Sequence, residues 1–208
     1  MRRADTMAMA VAERTDLAEY LGTLTREQWE APSLCAGWRV RDVVAHAISY
    51  DDLTWPDVLK RAARAGFAPN ALNDLGVAET RPRSTGELLD RLRAHLRPTG
   101  PITALGGMIP LVDALIHHQD IRRPLGHPRE IPPQRLRTVL DLAFKAPPVG
   151  AKKRAAGLRL VAADLDWSRG EGPEVRGPGE ALLMTLAGRS AAFAELTGEG
   201  KAVLAARL

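Results

Sequence analysis

Cysteine is almost missing from this sequence: Cys35 stands alone among 208 residues. That excludes an intrachain disulfide and points to a reducing, cytoplasmic setting. Aromatics are scarce as well, nine in all, so Leu, Val and Ala must fill the core, which favours helices over an all-β sandwich. Long hydrophobic runs are absent. The longest apolar stretch, 102–112, carries two glycines and a proline and falls well short of the ~20 residues that span a bilayer. Near the amino terminus, Met7 to Ala12 is followed at once by Glu13 and Arg14 and fails as a signal peptide. A basic stripe is lacking too. The formal charge is +4, yet 24 of the 29 basic residues are arginines scattered along the chain, whereas phosphate-tracking proteins gather cations with stacking aromatics on one face. Neither nucleic acid nor membrane is therefore expected as a partner. The one dense cluster, Lys152-Lys153-Arg154, reads as a solvated linker.

What is present is helical periodicity. Leu17, Tyr20, Leu21 and Leu24 line one side of a helix expected over 4–22, and 25–37, with Pro32, Ser33 and Gly37, reads as a structured loop. Val40, Val43, Val44, Ala47 and Ile48 mark a second helix. Residues 66–83, rich in Gly, Pro and Asn, read as a long polar connection. Ser84 and Glu87 form a capping box at the start of a third helix carrying Leu88, Leu89, Leu92 and Leu96, and a fourth runs from Pro110 to Arg123, stopped by Pro124. The expectation is a mainly α protein, an antiparallel four-helix bundle over 1–147 with a fifth helix (133–144) outside it. Beyond Pro147-Pro148 the pattern changes to a strand over 158–165, a short strand at 174–176 pairing back, and a helix over 180–186 with Pro178 at its first position. This predicts a small α/β unit over 152–208, too small to stand comfortably alone and so docked on the bundle.

Candidate chemistry lies in the histidines. Asp113 and His117, four residues apart on the fourth helix, share a face, with Asp120 three residues further on. His46 sits among valines and alanines on the second helix, from where a bundle could bring it opposite that pair. Two imidazoles and a carboxylate make a three-ligand divalent metal site of the kind used by zinc and non-haem iron. His118, rotated ~100° from His117, competes for the ligand role, while an Asp–His pair at this spacing is also a common surface pair. His95, amid arginines, reads as solvent-facing and His127 as a loop residue. Cys35 has no His partner visible in the sequence, so packing is its default role.

The stretch Ser33-Leu-Cys35-Ala-Gly37-Trp38-Arg39-Val-Arg-Asp42-Val-Val-Ala-His46 resembles the signature of the mycothiol-dependent maleylpyruvate isomerase family, within the DinB-like superfamily of metal-binding four-helix bundles. Asp113 to Ile121 is similar to that family's acidic-x-x-x-His-x-x-Asp stretch, and 157–167 through Gly188-Arg189 to its carboxy-terminal domain. The resemblance implies that His46, Asp113 and His117 hold a divalent metal, zinc first, with iron or nickel as alternatives. The family's carboxylate is commonly Glu, so the shorter Asp113 demands a closer helix, a bridging water or a weaker site. The helix cap before Val40 is commonly Thr or Ser, and Arg39 there implies a loss of ~1 kcal/mol.

In relatives of this kind the metal holds the sulfur of mycothiol, a low-molecular-weight thiol. The expected function is thus a mycothiol-using isomerase or S-transferase acting on a small electrophile. Trp38 is expected at the mouth of the bundle beside the thiol, Asp120 behind a ligand imidazole, and Arg189 as a clamp for a carboxylate. The alternative is a non-catalytic bundle, with or without metal, in regulation or protein interaction. The sequence leaves the physiological substrate and the oligomeric state open.

Overall fold

The structure, a computed structural model, describes residues 3–208, with side chains from residue 4 onward. The chain is mainly α and divides into two compact units, 1–128 and 129–208. The first holds α1 (Arg3–Leu21), α2 (Arg26–Glu30), α3 (Val40–Ile48), α4 (Trp55–Arg64), α5 (Pro69–Thr80), α6 (Thr85–Ala94) and α7 (Met108–Arg122). The second holds α8 (Pro133–Ala143), α9 (Ala151–Arg154), β1 (Arg159–Ala162), β2 (Ser168–Arg169), β3 (Glu174–Gly177), α10 (Gly179–Leu186) and α11 (Lys201–Ala205). Among the described residues no helix is long and apolar enough to cross a membrane.

The bundle core joins Leu17 and Leu21 of α1, Val40, Val43, Val44 and Ile48 of α3, Leu88 and Leu92 of α6, and Ile121 of α7, all buried. These are the periodic apolar positions of the sequence. Gly107, at φ 83°, caps α7, and a side chain there would stand 2.9 Å from Met7 Cα, so α1 and α7 approach closely only because it is glycine. From Pro110 to Ile121, α7 is buried at every position except Asp113, the one place where it opens toward solvent.

One expectation about the first unit is corrected. Residues 66–83 are not a polar connection: they contain α5, which packs against α3 and α4. Its turn-forming residues have helical uses, Pro69 at the first turn and Gly76 where a Cβ would lie 2.8 Å from Ser49 Oγ. Tertiary packing overrides the local preference. Arg39, as expected, makes no side-chain cap bond to α3, but its own groups are satisfied. The buried carboxylate of Asp42 accepts from both Arg39 N (3.0 Å) and Arg39 Nε (3.2 Å), and Arg39 and Arg41 reach Glu30.

The second unit begins earlier than expected. Helix α8, with Leu136, Val139 and Leu140 buried, packs against α10 and belongs to this unit, not to the bundle region. The sheet runs β2-β1-β3, with β2 antiparallel to β1 and β3 parallel to it, so 174–176 does not pair back as a hairpin. Leu160 and Val175, directly opposite, are fully buried. Helix α10 starts at Gly179, whose N–H donates to Asp164 Oδ1 at 2.8 Å, with Pro178 one step before the first turn. The basic cluster is helical in α9, and Arg154 turns inward to donate to Val149 O and Leu186 O at 2.9 and 3.1 Å. Lys152 and Lys153 alone remain solvated.

Candidate metal centre

The loop before α3 is fixed by its own polar groups. Ser33 Oγ donates to Trp38 O (2.8 Å) and accepts from Cys35 N (3.1 Å), Gly37 takes φ 78°, and Leu34 N donates to Asp120 O (3.0 Å), which pins the loop to α7. This places Cys35 and Trp38 beside the middle of α7, while α3 carries His46.

His46, Asp113 and His117 converge, their donor atoms within 4.8 Å of one another. Asp113 Oδ1 lies 3.5 Å from His46 Nε2 and 3.4 Å from His117 Nε2, and the two rings meet edge to face with centroids 4.9 Å apart. Donors bound tetrahedrally to zinc at ~2.0–2.1 Å stand ~3.3–3.4 Å apart. Asp113 Oδ1 stands at about this spacing from both Nε2 atoms without the extra methylene of a glutamate. Both imidazoles are buried, whereas Asp113 is half-buried.

The same His117 belongs to a second cluster on its other nitrogen. Asp120 Oδ2 lies 2.9 Å from His117 Nδ1 and accepts from Cys35 Sγ at 3.1 Å, and Sγ stands 3.7 Å from Nδ1. The two carboxylate contacts are at hydrogen-bond length. Cys35, His117 and Asp120 are themselves close enough to be a second candidate metal-holding group, but an acceptor at Nδ1 favours the tautomer with H on Nδ1, which directs Nε2 to the ligand role. Cys35 thus has a His partner after all, supplied by a helix 82 residues away in sequence.

The charges reinforce one another. Burial alone would lower the pKa of His117, but Asp113, with hydrogen bonds to Asp120 and Cys35, holds it well above the ordinary imidazole value. Burial likewise pushes Asp113 upward, and His117, with His46, outweighs it and holds the carboxyl well below the usual range.

The remaining candidates sort clearly. Trp38 lies against His46, ring centroids 5.2 Å apart, and its Nε1–H donates to Asp74 Oδ1 at 3.1 Å. His118 points elsewhere, fully buried between Glu13 and Arg122, and does not compete for the ligand role. His95 is not solvent-facing: Nε2 meets Asp52 Oδ1 at 2.9 Å and Nδ1 meets Arg91 O at 3.0 Å. His127 Nδ1 meets the Tyr20 hydroxyl at 2.9 Å. Arg189, in the second unit, donates to Ala187 O at 2.7 Å. Three residues escaped the sequence reading. Tyr50, four residues after His46, sets its ring edge to face with that imidazole at 6.0 Å and donates its hydroxyl to Asn73 Oδ1 at 2.8 Å. Its spacing was a usable signal; Asn73 and Asp74, inside a stretch that looked like loop, offered none.

Comparison with known proteins bears on the fold and on the loop before α3. Residues 10–100 match the sequence model of the mycothiol maleylpyruvate isomerase N-terminal domain, a span that includes Cys35, Trp38 and His46 and ends before Asp113. Two crystal structures share the fold. One is described as the mycothiol-dependent maleylpyruvate isomerase, at TM-score 0.61 and 16% identity over 97% of this chain and 94% of that one. The other is a histidine-to-alanine mutant of the same description, at TM-score 0.60 and 17% identity over the same shares. No curated protein matches the sequence. Residues 10–100, which hold the signature in the loop before α3, thus match the model of the mycothiol maleylpyruvate isomerase N-terminal domain, and the fold is the one seen in the two solved structures.

Proposed function

We propose that this protein is a metal-dependent enzyme, with zinc as the cation, that uses mycothiol to isomerise a small electrophile or transfer sulfur to it. The observation that carries the reading is the spacing of Asp113 Oδ1 from the two Nε2 atoms, 3.4 and 3.5 Å, too long for strong hydrogen bonds and matched to zinc ligands. His46, Asp113 and His117 would hold the cation. Bound there, it would favour the thiolate over the thiol of a small-molecule cosubstrate, and the thiolate is the nucleophilic form.

The chain's own groups supply the rest. Asp120 keeps the His117 proton on Nδ1, and the rings of Trp38 and Tyr50 wall the His46 side against water. The opening of α7 at Asp113 gives access. Arg189, with a planar guanidinium suited to a carboxylate, is proposed as the clamp for an anionic substrate group on the strength of the sequence resemblance. Cytoplasmic residence and a small-molecule thiol partner follow from the same reading.

Elemental analysis of protein purified without chelator tests it, followed by mycothiol titration with and without the metal and turnover of a maleyl compound or a chlorodinitro-arene. One zinc per chain, metal-dependent thiol binding and thiol-dependent turnover are expected. Protein that takes up no divalent metal would overturn the reading. Metal binding without turnover would make this a non-catalytic metal-binding bundle, and iron or nickel in place of zinc would correct the cation alone.

A further inference from the structure

The two imidazoles of the candidate centre are held by different means. His117 is tethered by a carboxylate, Asp120, on the nitrogen facing away from the cluster. His46 has no such tether: its Nδ1 is buried without a hydrogen-bond partner among the described residues. A ligand histidine ordinarily donates its second N–H to an acceptor that sets the ring's orientation. For His46 that task falls to rings, with Trp38 at 5.2 Å and 45°, Tyr50 at 6.0 Å and 87°, and His117 at 4.9 Å and 80°.

Trp38 and Tyr50 are each fixed at their polar end by adjacent residues of α5. The Tyr50 hydroxyl donates to Asn73 Oδ1 at 2.8 Å and the Trp38 indole N–H to Asp74 Oδ1 at 3.1 Å. Helix α5 is itself anchored. Gly76 sits tight against Ser49, and Glu79 pairs with Arg61 at 2.7 Å and Arg64 at 3.0 Å on α4. The Arg61 guanidinium in turn lies 5.3 Å from the centre of the Tyr50 ring.

We infer that Asn73 and Asp74 are positioning residues for His46, acting through the rings of Tyr50 and Trp38. The inference rests on the reading of His46 as a ligand, but the orientation it describes is a property of the protein before any metal binds. Helix α5 stands in for the hydrogen-bond acceptor that His46 lacks.

The test uses the full chain carrying Asn73→Ala and Asp74→Ala together, read in two ways. In the metal-free protein, long-range ¹H–¹⁵N spectra of the imidazoles should show the His46 signals broadened or shifted, with those of His117 and His118 in place. In competition with a chromophoric chelator, zinc affinity should fall about 10–100-fold, the size seen when outer partners of ligand histidines are removed. Asp74→Asn, whose amide oxygen still accepts from the indole, should restore most of the loss relative to Asp74→Ala; a purely structural defect would not discriminate between them. Should the double variant fail to fold, Trp38→Phe, which keeps a ring but not the N–H, carries the same two readouts. Unchanged His46 signals together with unchanged zinc affinity would overturn the inference. If the parent protein takes up no zinc, the proposed function fails instead, and the His46 signals alone decide this point.

Discussion

His117 and His118 are neighbours in sequence and both lie on buried α7, yet they do different work. His117 presents Nε2 to Asp113 at 3.4 Å and Nδ1 to Asp120 at 2.9 Å, one distance suited to a shared cation and the other to a shared proton. His118 is filled on both sides at hydrogen-bond length. Arg122 Nε donates to its Nε2 at 2.8 Å, so the ring proton sits on Nδ1, 2.8 Å from Glu13 Oε1. A guanidinium cannot accept, which fixes His118 as a neutral bridge between a buried carboxylate and an arginine. The comparison teaches that burial alone does not single out a candidate ligand histidine: a ring nitrogen that faces a second imidazole and a carboxylate does.

Substitution breaks the comparison first at its strongest point. His117→Ala, like His46→Ala, should abolish stoichiometric metal uptake in elemental analysis with the fold retained. His118→Ala should leave metal content intact but take a hydrogen bond from a buried carboxylate, lowering stability by about 1–3 kcal/mol in denaturant melts. Equal metal loss in both variants would erase the distinction between the two histidines. Asp120→Asn should weaken zinc binding about 10–100-fold in chelator competition, because the amide no longer secures the His117 tautomer as the carboxylate does.

The pH dependence sharpens the contrast further. His117 is held well above its ordinary value in the metal-free protein, so a proton competes with the cation at Nε2. Metal affinity should rise with pH through the range above the usual imidazole value and level off once His117 has lost that proton, and binding should release a proton in calorimetry repeated across buffers. A flat profile from mildly acidic to alkaline pH would contradict it. The smallest change is Asp113→Glu. The added methylene overshoots a spacing already right for zinc, so affinity should fall, by an order of tenfold or less, rather than improve toward the family's commoner residue.

The legible parts of the molecule share one trait: their signal is local. The apolar spacing of Val40, Val43, Val44 and Ile48, or the Ser84–Glu87 capping box, records a periodicity that the helix itself enforces, and both helices stand where expected. Part of the candidate trio was legible in the same way, since Asp113 and His117 share a helix face. Helix α5 was not, because Asn70, Asn73 and Gly76 are poor helix formers whose cost is met by packing on α3 and α4. The role of α8 was hidden for a similar reason: an amphipathic face shows that a helix packs, not against what. Cys35 looked solitary because its partners, His117 and Asp120, lie 82 and 85 residues away.

By itself, the order of residues determined which segments coil, which faces they bury and which three side chains were candidates to meet, since those follow from 3.6-residue periodicity and from residue chemistry. Only the folded chain decided that Asp113 comes within 3.5 Å of both Nε2 atoms, that His118 is spoken for by Glu13 and Arg122, and that His46 leans on rings fixed from α5. Those outcomes depend on tenths of an ångström between atoms distant in sequence, and such separations are set by how whole helices pack.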